Sequence, residues 1–267
     1  MERISKSQIK LVRSLQQKKY RDETGLFVAE GDKCVGELRK SFELVHLYRE
    51  GENATRTEIE QLSGLRTPQG VIGVFKKSNS PTDGLTAKRS VSDSGLSAEG
   101  GLLLALDGIQ DPGNLGTIIR TCDWFGVHTI LCSPDTADCY NPKVVQATMG
   151  ALARVHLHYV DLPSFLQNTT FPVYGTLLDG KDMYEVLGHT WKRSGSHLEA
   201  VCQQSGLSAE RSIIIMGNEG NGISQSVRPF ITHPLRIPSY PEDAETSESL
   251  NVAIATAILL AEFRRPG

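Results

Sequence analysis

Three short segments of this 267-residue chain place glycine, asparagine and charged side chains directly after an apolar run. In the first, Leu106–Arg120, a loop rich in glycine, proline and aspartate precedes a helical pattern over Leu115–Phe125, which Asn114 is expected to cap. Arg120 follows less than two helical turns later and would point toward the same loop, where a guanidinium can hold a phosphate or a planar anion. The pattern also fits a capped surface helix with an ordinary arginine.

The second segment, Ile213–Ser224, is again an apolar strand and a glycine-rich loop, followed by a helical pattern over Ser224–Phe230. Its three glycines permit positive φ and a close approach of the backbone to a ligand. The order GxxGxG, with no Lys-Ser or Lys-Thr after it, fits neither the dinucleotide fingerprint nor the phosphate loop of nucleotide triphosphatases. A tight turn with Ser224 as helix cap explains that serine, but not three glycines around the carboxylate of Glu219.

In the third segment, a strand ends at Ile237 and a helix of small apolar residues is expected over Leu250–Arg264, starting from Ser249. The alanines of this helix allow very close packing against another element. For Val252–Phe263 we interpret the pattern as a capped core helix. The intervening stretch, Ser239–Glu248, has no glycine and carries four acids.

The elements around these segments alternate between strand and helix from Leu102 onward, which predicts a mostly parallel sheet covered by helices on both faces. In such sheets ligands bind at the carboxyl ends of strands, where the first segment lies. The pattern of residues 1–75 predicts a separate small α/β unit. Residues 76–101 are rich in serine and glycine and are predicted to form a flexible linker. The expected strands of the larger domain, 102–267, are Leu102–Leu106, His128–Cys132, Arg154–His158, Pro172–Leu177, Ser212–Met216 and His233–Ile237.

Composition narrows the class of protein further. The net charge is −3, but residues 1–21 carry seven bases and one acid, a positive patch that could meet phosphate or be a solvated helix face. No apolar stretch is long enough to span a membrane, and the polar N-terminus lacks a signal-peptide core, which favours the cytoplasm. The five cysteines have irregular spacings and predict reduced thiols, with no disulfide framework and no metal site.

The three segments, in this order and spacing, resemble the SpoU (TrmH-like) family of SPOUT RNA methyltransferases. The resemblance extends over nearly the whole chain except the linker. The residues that match the family pattern are Asn114 and Arg120, then Gly217, Glu219, Gly222 and Ser224, then Ser249, Leu250, Asn251 and Val252. Asn141–Val145, Met149–Ala151 and Gly25–Gly31 also resemble members of the family.

This resemblance implies a catalytic domain with a C-terminal trefoil knot, an N-terminal L30e-like domain that presents RNA, and a homodimer formed through the catalytic domain. It implies S-adenosylmethionine as cofactor and a ribose 2′-hydroxyl of structured tRNA or rRNA as acceptor. The implied catalytic residues are Arg120, Asn114, Glu219, Ser249 and Asn251. The implied cofactor-binding residues, which act mostly through the backbone, are Thr176, Leu177, Gly217, Asn218, Gly222, Ile237 and Leu250.

One stretch departs from the family, because Ser239–Glu248 replaces a shorter loop that contains glycine. It leaves open a non-catalytic RNA-binding protein that retains the fold, although intact Asn114, Arg120, Glu219 and Asn251 favour an enzyme. A nicotinamide-dependent oxidoreductase is a weaker alternative, since no GxGxxG follows an early strand of the larger domain.

Overall fold

The computed structural model describes residues 4–78, 101–187, 189–194, 197–202, 211–240 and 249–265, and these residues form two compact units. The first unit holds residues 4–78 with Asp111–Arg120 and Ala137–His156. The second unit holds 101–110, Thr121–Thr136 and the described residues from Leu157 onward. The domain boundaries expected from the sequence, at 75 and 102, stay a prediction, because residues 79–100 lie outside the described part.

In the first unit, residues 4–78 form a three-stranded sheet with helices around it. Its strand order is β1-β3-β2, and both pairs are antiparallel. Capping boxes at Ser5 and Thr55 begin the first and fourth helices, as their Ser/Thr-x-x-Gln/Glu spacing favours. The elements are α1 (Lys6–Ser14), α2 (Lys18–Thr24), β1 (Leu26–Glu30), α3 (Asp32–Leu38), β2 (Leu44–Arg49), α4 (Arg56–Leu62) and β3 (Val71–Lys76).

The first unit also contains the start of helix α5 (Pro112–Trp124) and all of α6 (Pro142–Thr148). The side chain of Asn141 caps α6, with proline at the first helical position. α6 ends in two left-handed residues, Met149 at φ 52° and Gly150 at φ 93°. A short 3₁₀ turn, Ala151–Ala153, follows.

The second unit is built on a six-stranded sheet of order β11-β7-β10-β4-β5-β6, whose four recorded pairs from β11 to β5 are parallel. The mostly parallel α/β fold expected from the sequence is confirmed. A two-stranded antiparallel sheet, β8 and β9, was not expected. The elements are β4 (Leu102–Asp107), β5 (Thr129–Cys132), β6 (His156–Tyr159), α7 (Leu162–Gln167), β7 (Val173–Asp182), α8 (Met183–Val186), β8 (His189–Ser194), β9 (His197–Cys202), β10 (Ser212–Gly217), β11 (His233–Arg236) and α9 (Val252–Phe263).

The central strands β4 and β10 are buried, except for Gly217 at the end of β10, as their apolar runs require. The chain runs outward from β4 through β5 and β6, then returns to the other side of β4 for β7, β10 and β11. The carboxyl ends of strands at such a reversal are where open α/β sheets bind ligands.

Among the residues that the structure describes, no helix is long and apolar enough to cross a membrane. The trefoil knot stays a prediction, because residues 241–248 of the C-terminal region lie outside the described part.

Candidate active site

The loops predicted to bind a ligand begin at one edge of the six-stranded sheet. Asp107 ends β4 directly opposite Gly217, which ends β10. On the other side of β10, Gly175 of β7 pairs with Ile215 and with Pro234 of β11. Because these strands are parallel, their carboxyl ends and the following loops share one edge.

The loop after β10 is folded tightly back on itself. The backbone N–H of Asn218 donates to the carbonyl of Gly222 at 3.0 Å, and the N–H of Gly222 donates to the carbonyl of Asn218 at 2.8 Å. A Cβ on Gly217 would lie 2.3 Å from Ile223 N, so only glycine fits there. Gly222 has φ +67° with open space beside its Cα, which leaves the backbone accessible.

The side chain of Asn218 holds this loop in place. Its Nδ2 donates to the carbonyl of Gly108 at 2.7 Å, and its Oδ1 accepts from the N–H groups of Gly220 and Asn221 at 2.9 and 3.1 Å. Asn218, predicted as a cofactor residue, therefore joins the β10 loop to the β4 loop. Glu219, at the tip of the same loop, is exposed.

Sequence reasoning missed two residues that shape the same edge. Asp107 is buried, and its Oδ2 accepts from the N–H of Ser224 at 2.7 Å. Ser133, after β5, accepts from the N–H of Gly108 at 2.8 Å and donates to Asp135 at 2.5 Å. A polar residue at the last position of an apolar strand is the signal that could have identified Asp107. Ser133 has no such local signal.

The prediction of a helix over Ser224–Phe230, capped by Ser224, is wrong. The chain forms turns there, with a 3₁₀ helix only over Arg228–Phe230. The backbone N–H of Ser224 donates to Asp107, and Pro229 has no backbone N–H to donate to a helical hydrogen bond.

Thr176 and Leu177 lie in an irregular part of β7. The register with β11 passes from Gly175 opposite Pro234 to Lys181 opposite Leu235, so five residues of β7 separate neighbouring positions on β11. This bulge leaves main-chain groups of 176–180 outside the recorded ladder with β11, which suits a ligand held by backbone donors and acceptors. Both predicted residues are half-buried.

The remaining predicted cofactor and catalytic residues of the second unit lie on either side of the undescribed stretch 241–248. Ile237 follows β11 and is half-buried, whereas Ser249, Leu250 and Asn251 are exposed. The helix expected from Leu250 begins only at Val252, because Asn251 is its N-cap. The Asn251 side chain accepts from the backbone N–H groups of Ala253 and Ile254. The acidic stretch that supported the non-catalytic alternative lies mostly outside the described residues.

Asn114 and Arg120 lie in the first unit, on α5. The expectation that Asn114 caps this helix is wrong: α5 begins at Pro112, and Asp111 Oδ1 accepts from the Asn114 N–H at 2.8 Å. Both residues can cap, and the proline favours the earlier start. Arg120 is exposed, and its guanidinium forms no ion pair with any residue that the structure describes.

The predicted site residues are found in both units. The predicted residues Thr176, Leu177, Gly217–Glu219, Gly222, Ile237 and Ser249–Asn251 belong to the second unit, and Asn114 and Arg120 to the first. Within the described ranges, no group of three or more His, Cys, Asp or Glu side chains is arranged to hold a metal ion.

Comparison with known proteins shows which families and solved structures this chain resembles. Residues 101–261 match the SpoU rRNA Methylase family, and residues 6–54 match the MRM3-like substrate binding domain. Among solved structures, a Porphyromonas gingivalis protein assigned to the TrmH family of RNA methyltransferases is 36% identical, with a TM-score of 0.75 over 99% of both chains. An rRNA methyltransferase from Sinorhizobium meliloti, solved with S-adenosylmethionine, is 28% identical, with a TM-score of 0.76 over 99% of this chain and 97% of the other.

A curated relative from Bacillus subtilis, the 23S rRNA (guanosine(2553)-2′-O)-methyltransferase RlmP, is 27% identical over 99% of this chain and 98% of its own length. Three other curated relatives are longer, and the chain spans 52%, 56% and 58% of them. The matched region covers more than half of the chain and contains every predicted site residue. This chain belongs to the SpoU rRNA methylase family, whose members are S-adenosylmethionine-dependent RNA methyltransferases.

Proposed function

We propose that this protein transfers a methyl group from S-adenosylmethionine to a ribose 2′-hydroxyl of structured large-subunit ribosomal RNA. The observation that carries the proposal is the β10 loop, where Gly217 fits only as glycine and Asn218 joins the loop to Gly108. The full-length likeness to a 23S rRNA 2′-O-methyltransferase favours ribosomal RNA over tRNA as the substrate.

The residues at this edge of the sheet fit S-adenosylmethionine. The bulge at Thr176 and Leu177 offers main-chain groups outside the ladder with β11, and the closed Gly217–Gly222 loop leaves open space at Gly222. Main-chain groups suit this cofactor, because its positive sulfonium loses its charge on transfer and needs no strong anion beside it. When bound, the cofactor supplies an electrophilic methyl group. We assign its binding to Thr176, Leu177, Gly217, Asn218, Gly222, Ile237 and Leu250.

The chain must align the ribose oxygen with the methyl carbon and the sulfur, since alignment alone can supply about 7–11 kcal/mol in ideal cases. Arg120 is suited to this task because it is exposed and forms no ion pair with described residues. A guanidinium keeps its proton at any physiological pH and is therefore a poor base. We assign to Arg120 the holding of an RNA phosphate and the stabilisation of negative charge on the 2′-oxygen.

Four further residues complete the proposed catalytic set. Asn114 lies within two helical turns of Arg120 on the same helix. Glu219, at the loop tip, and Ser249 and Asn251, at the start of α9, offer exposed polar groups that can orient the nucleotide. The Asn251 side-chain oxygen caps α9 by accepting from the N–H groups of Ala253 and Ile254, which fixes the orientation of this side chain.

We also propose a homodimer formed through the catalytic domain. Support comes from apolar side chains left in solvent in the second unit: Trp124 is 85% exposed, Ile254 53% and Leu250 47%. α9 is apolar around its whole circumference, a pattern typical of helices buried on all sides. A cytoplasmic location agrees with Cys34, Cys122, Cys132 and Cys139, none of which forms a disulfide with a described residue.

The test is transfer of labelled methyl from S-adenosylmethionine to unmodified large-subunit rRNA transcripts and, in parallel, to tRNA. Label recovered as 2′-O-methylribose in rRNA, and lost in Arg120→Ala, supports the proposal. Arg265→Ala is the control, because it removes an exposed arginine whose pair with Glu262 contributes little. Label in tRNA alone would overturn the choice of substrate. Binding of the cofactor without transfer to any RNA would overturn the reaction.

A further inference from the structure

The guanidinium of Arg21, on α2, is almost fully buried in the first unit, with 1% of the residue exposed. Its Nη1 donates to the carbonyls of Leu15 and Gln16 at 2.8 and 3.0 Å. Its Nε and Nη2 donate to Asp138 Oδ2 at 3.0 and 2.7 Å. Asp138 lies 117 residues further along the chain, in the segment that matches the SpoU family. Burying such a pair costs so much desolvation that it is weak evidence for stability, but it can fix one arrangement of elements.

Other contacts extend this attachment along the Ala137–His156 segment. The second oxygen of Asp138 accepts from the N–H of Tyr140, and the Tyr140 ring packs on Phe27 with the ring centroids 4.8 Å apart. At the far end of the segment, Arg154 Nη1 donates to Glu37 Oε2 at 2.6 Å. Residues 4–78 therefore contact this segment through ion pairs at both of its ends, at Asp138 and at Arg154.

The same segment packs directly against the start of α5. A Cβ on Gly116 of α5 would lie 2.5 Å from the Cβ of Ala147 and 2.9 Å from the carbonyl oxygen of Val144, both on α6. The two helices thus touch through backbone and methyl groups, with no room for adjustment. α5 carries Asn114 and Arg120 in this same unit.

We infer that Arg21 and Asp138 are positioning residues for methyl transfer: they hold residues 4–78 on α6, and α6 holds the part of α5 that bears Arg120. RNA bound by residues 4–78 then meets Arg120 in one fixed geometry. This inference rests on the proposed function, because it assigns a catalytic consequence to the contact. It goes beyond that function by naming two nearly buried residues that are paired with each other.

The experiment compares Asp138→Asn with the parent protein. The variant keeps one side-chain oxygen, so it can accept from Arg21 or from Tyr140 but not from both, and it removes the negative charge. We expect kcat/KM for a large-subunit rRNA transcript to fall about 10- to 100-fold, because small misplacements of reacting groups are this costly. The dissociation constant for S-adenosylmethionine, measured by calorimetry, should not change. Glu43→Gln is the matched control, since it opens an exposed ion pair with Lys76 in the same unit.

Hydrogen exchange of the α6 amides reports the attachment without any catalytic assay. Faster exchange in Asp138→Asn, together with the loss in kcat/KM for RNA alone, supports the inference. Faster exchange with unchanged kcat/KM overturns it, and so does equal loss of cofactor affinity, which would indicate general destabilisation. A parent protein inactive on every RNA would defeat the proposed function as well, and is distinguishable because it appears before any variant is compared.

If Asp138→Asn does not fold, Arg154→Gln tests the attachment of the same segment to residues 4–78 at its other end, where Arg154 pairs with Glu37. A smaller fall in kcat/KM for RNA, with cofactor affinity unchanged, is then expected. No fall, despite faster exchange of α6, overturns the inference.

Discussion

Gly217 lies so close to Gly222 that a Cβ on Gly217 would sit 2.3 Å from the Gly222 carbonyl carbon. This contact holds the two ends of the β10 loop together and leaves its backbone as the surface for a ligand. Gly217→Ala must open the loop, because the clash is with backbone and not with a flexible side chain. We expect affinity for S-adenosylmethionine to fall at least about tenfold, roughly 1.4 kcal/mol.

Calorimetric titration of the cofactor into Gly217→Ala and Gly220→Ala measures this effect. Gly220→Ala is the control within the same loop, since its nearest neighbour would be Asn218 Oδ1 at 3.5 Å, an ordinary contact. Equal affinity in both variants and the parent would show that the closed loop is not needed for the cofactor.

The link from Asn218 to Gly108 can be broken by a single-atom change. Asn218→Asp keeps the oxygen that accepts from Gly220 and Asn221 but replaces the Nδ2 donor with a second oxygen facing the Gly108 carbonyl. Two acceptors then face each other, and losing a hydrogen bond in this way costs about 1–3 kcal/mol. The KM for S-adenosylmethionine in steady-state methyl transfer should rise roughly tenfold, the equivalent of about 1.4 kcal/mol.

Asn221→Asp tests whether the added negative charge alone raises the KM for S-adenosylmethionine. It adds a carboxylate to the same loop at an exposed position and leaves the Asn218 side chain unchanged. Its KM should stay near that of the parent. An equal rise in both variants would indicate that negative charge, not the lost donor, weakens binding.

The strands of the second unit were predictable because each is a run of apolar residues bounded by turn residues, and both faces of the sheet are covered. Start and end positions were less predictable. Asp111 and Asn114 both have side chains that can cap a helix, and the choice between them depends on the loop geometry before Pro112.

Contacts between distant residues account for most of what the sequence could not predict. Ser224 was expected to cap a helix, but its N–H is bonded by Asp107, 117 positions earlier. The packing of the Tyr140 ring against Phe27 likewise joins segments far apart in the chain. No pattern of period 2 or 3.6 encodes such pairs, because they depend on the packed tertiary structure.

A basic surface on α1 and the start of α2 consists of Lys6, Lys10, Arg13 and Lys18. All four are exposed, α1 has no acid in its first turn, and none of the four forms an ion pair with described residues. We expect these cations to contact RNA phosphates. Changing all four to glutamine should weaken RNA binding and flatten the dependence of log affinity on log salt by roughly 3, at about 0.7–0.9 for each phosphate contact.

Filter binding of an rRNA transcript across a range of salt concentrations measures the slope. Lys76→Gln is the comparison, because Lys76 pairs with Glu43 at 2.6 Å and is not part of the basic surface. A quadruple variant that binds RNA with the parent's salt slope would contradict phosphate contact by these residues.

The proposed dimer predicts a strong effect of a charge at Ile254, which is 53% exposed on the apolar helix α9. Burying an isoleucine side chain fully contributes about 1.5–3 kcal/mol, and a carboxylate at the same place would have to be desolvated. Ile254→Glu should therefore sediment as a monomer at concentrations where the parent sediments as a dimer. Gln225→Glu, an exposed change of the same charge, should not alter the sedimentation coefficient. A monomeric parent would contradict the dimer.

Stability at alkaline pH should depend on the buried thiol of Cys34. Burial raises the pKa of this thiol from 9.0 to about 11, and only a backbone hydrogen bond with Gly150 opposes the rise. The unfolded chain therefore releases the thiol proton at lower pH than the folded chain does. The stabilising contribution is complete below pH 9 and is lost as the pH rises to about 11, a change of roughly 2–3 kcal/mol in the free energy of unfolding.

Urea denaturation at a series of pH values, in the parent and in Cys34→Ser, isolates this contribution. Serine does not titrate in this range and can still donate to the Val145 carbonyl, as the thiol does at 3.7 Å. Tyr48 and Tyr140, whose pKa values are also raised by burial, add a further alkaline loss that is common to both proteins. The difference in unfolding free energy between parent and variant should hence be constant below pH 9 and should shift toward the variant as the pH rises to about 11. Parallel curves over that interval would mean that the thiol ionises equally in the folded and unfolded chains, and that Cys34 is not buried against α6.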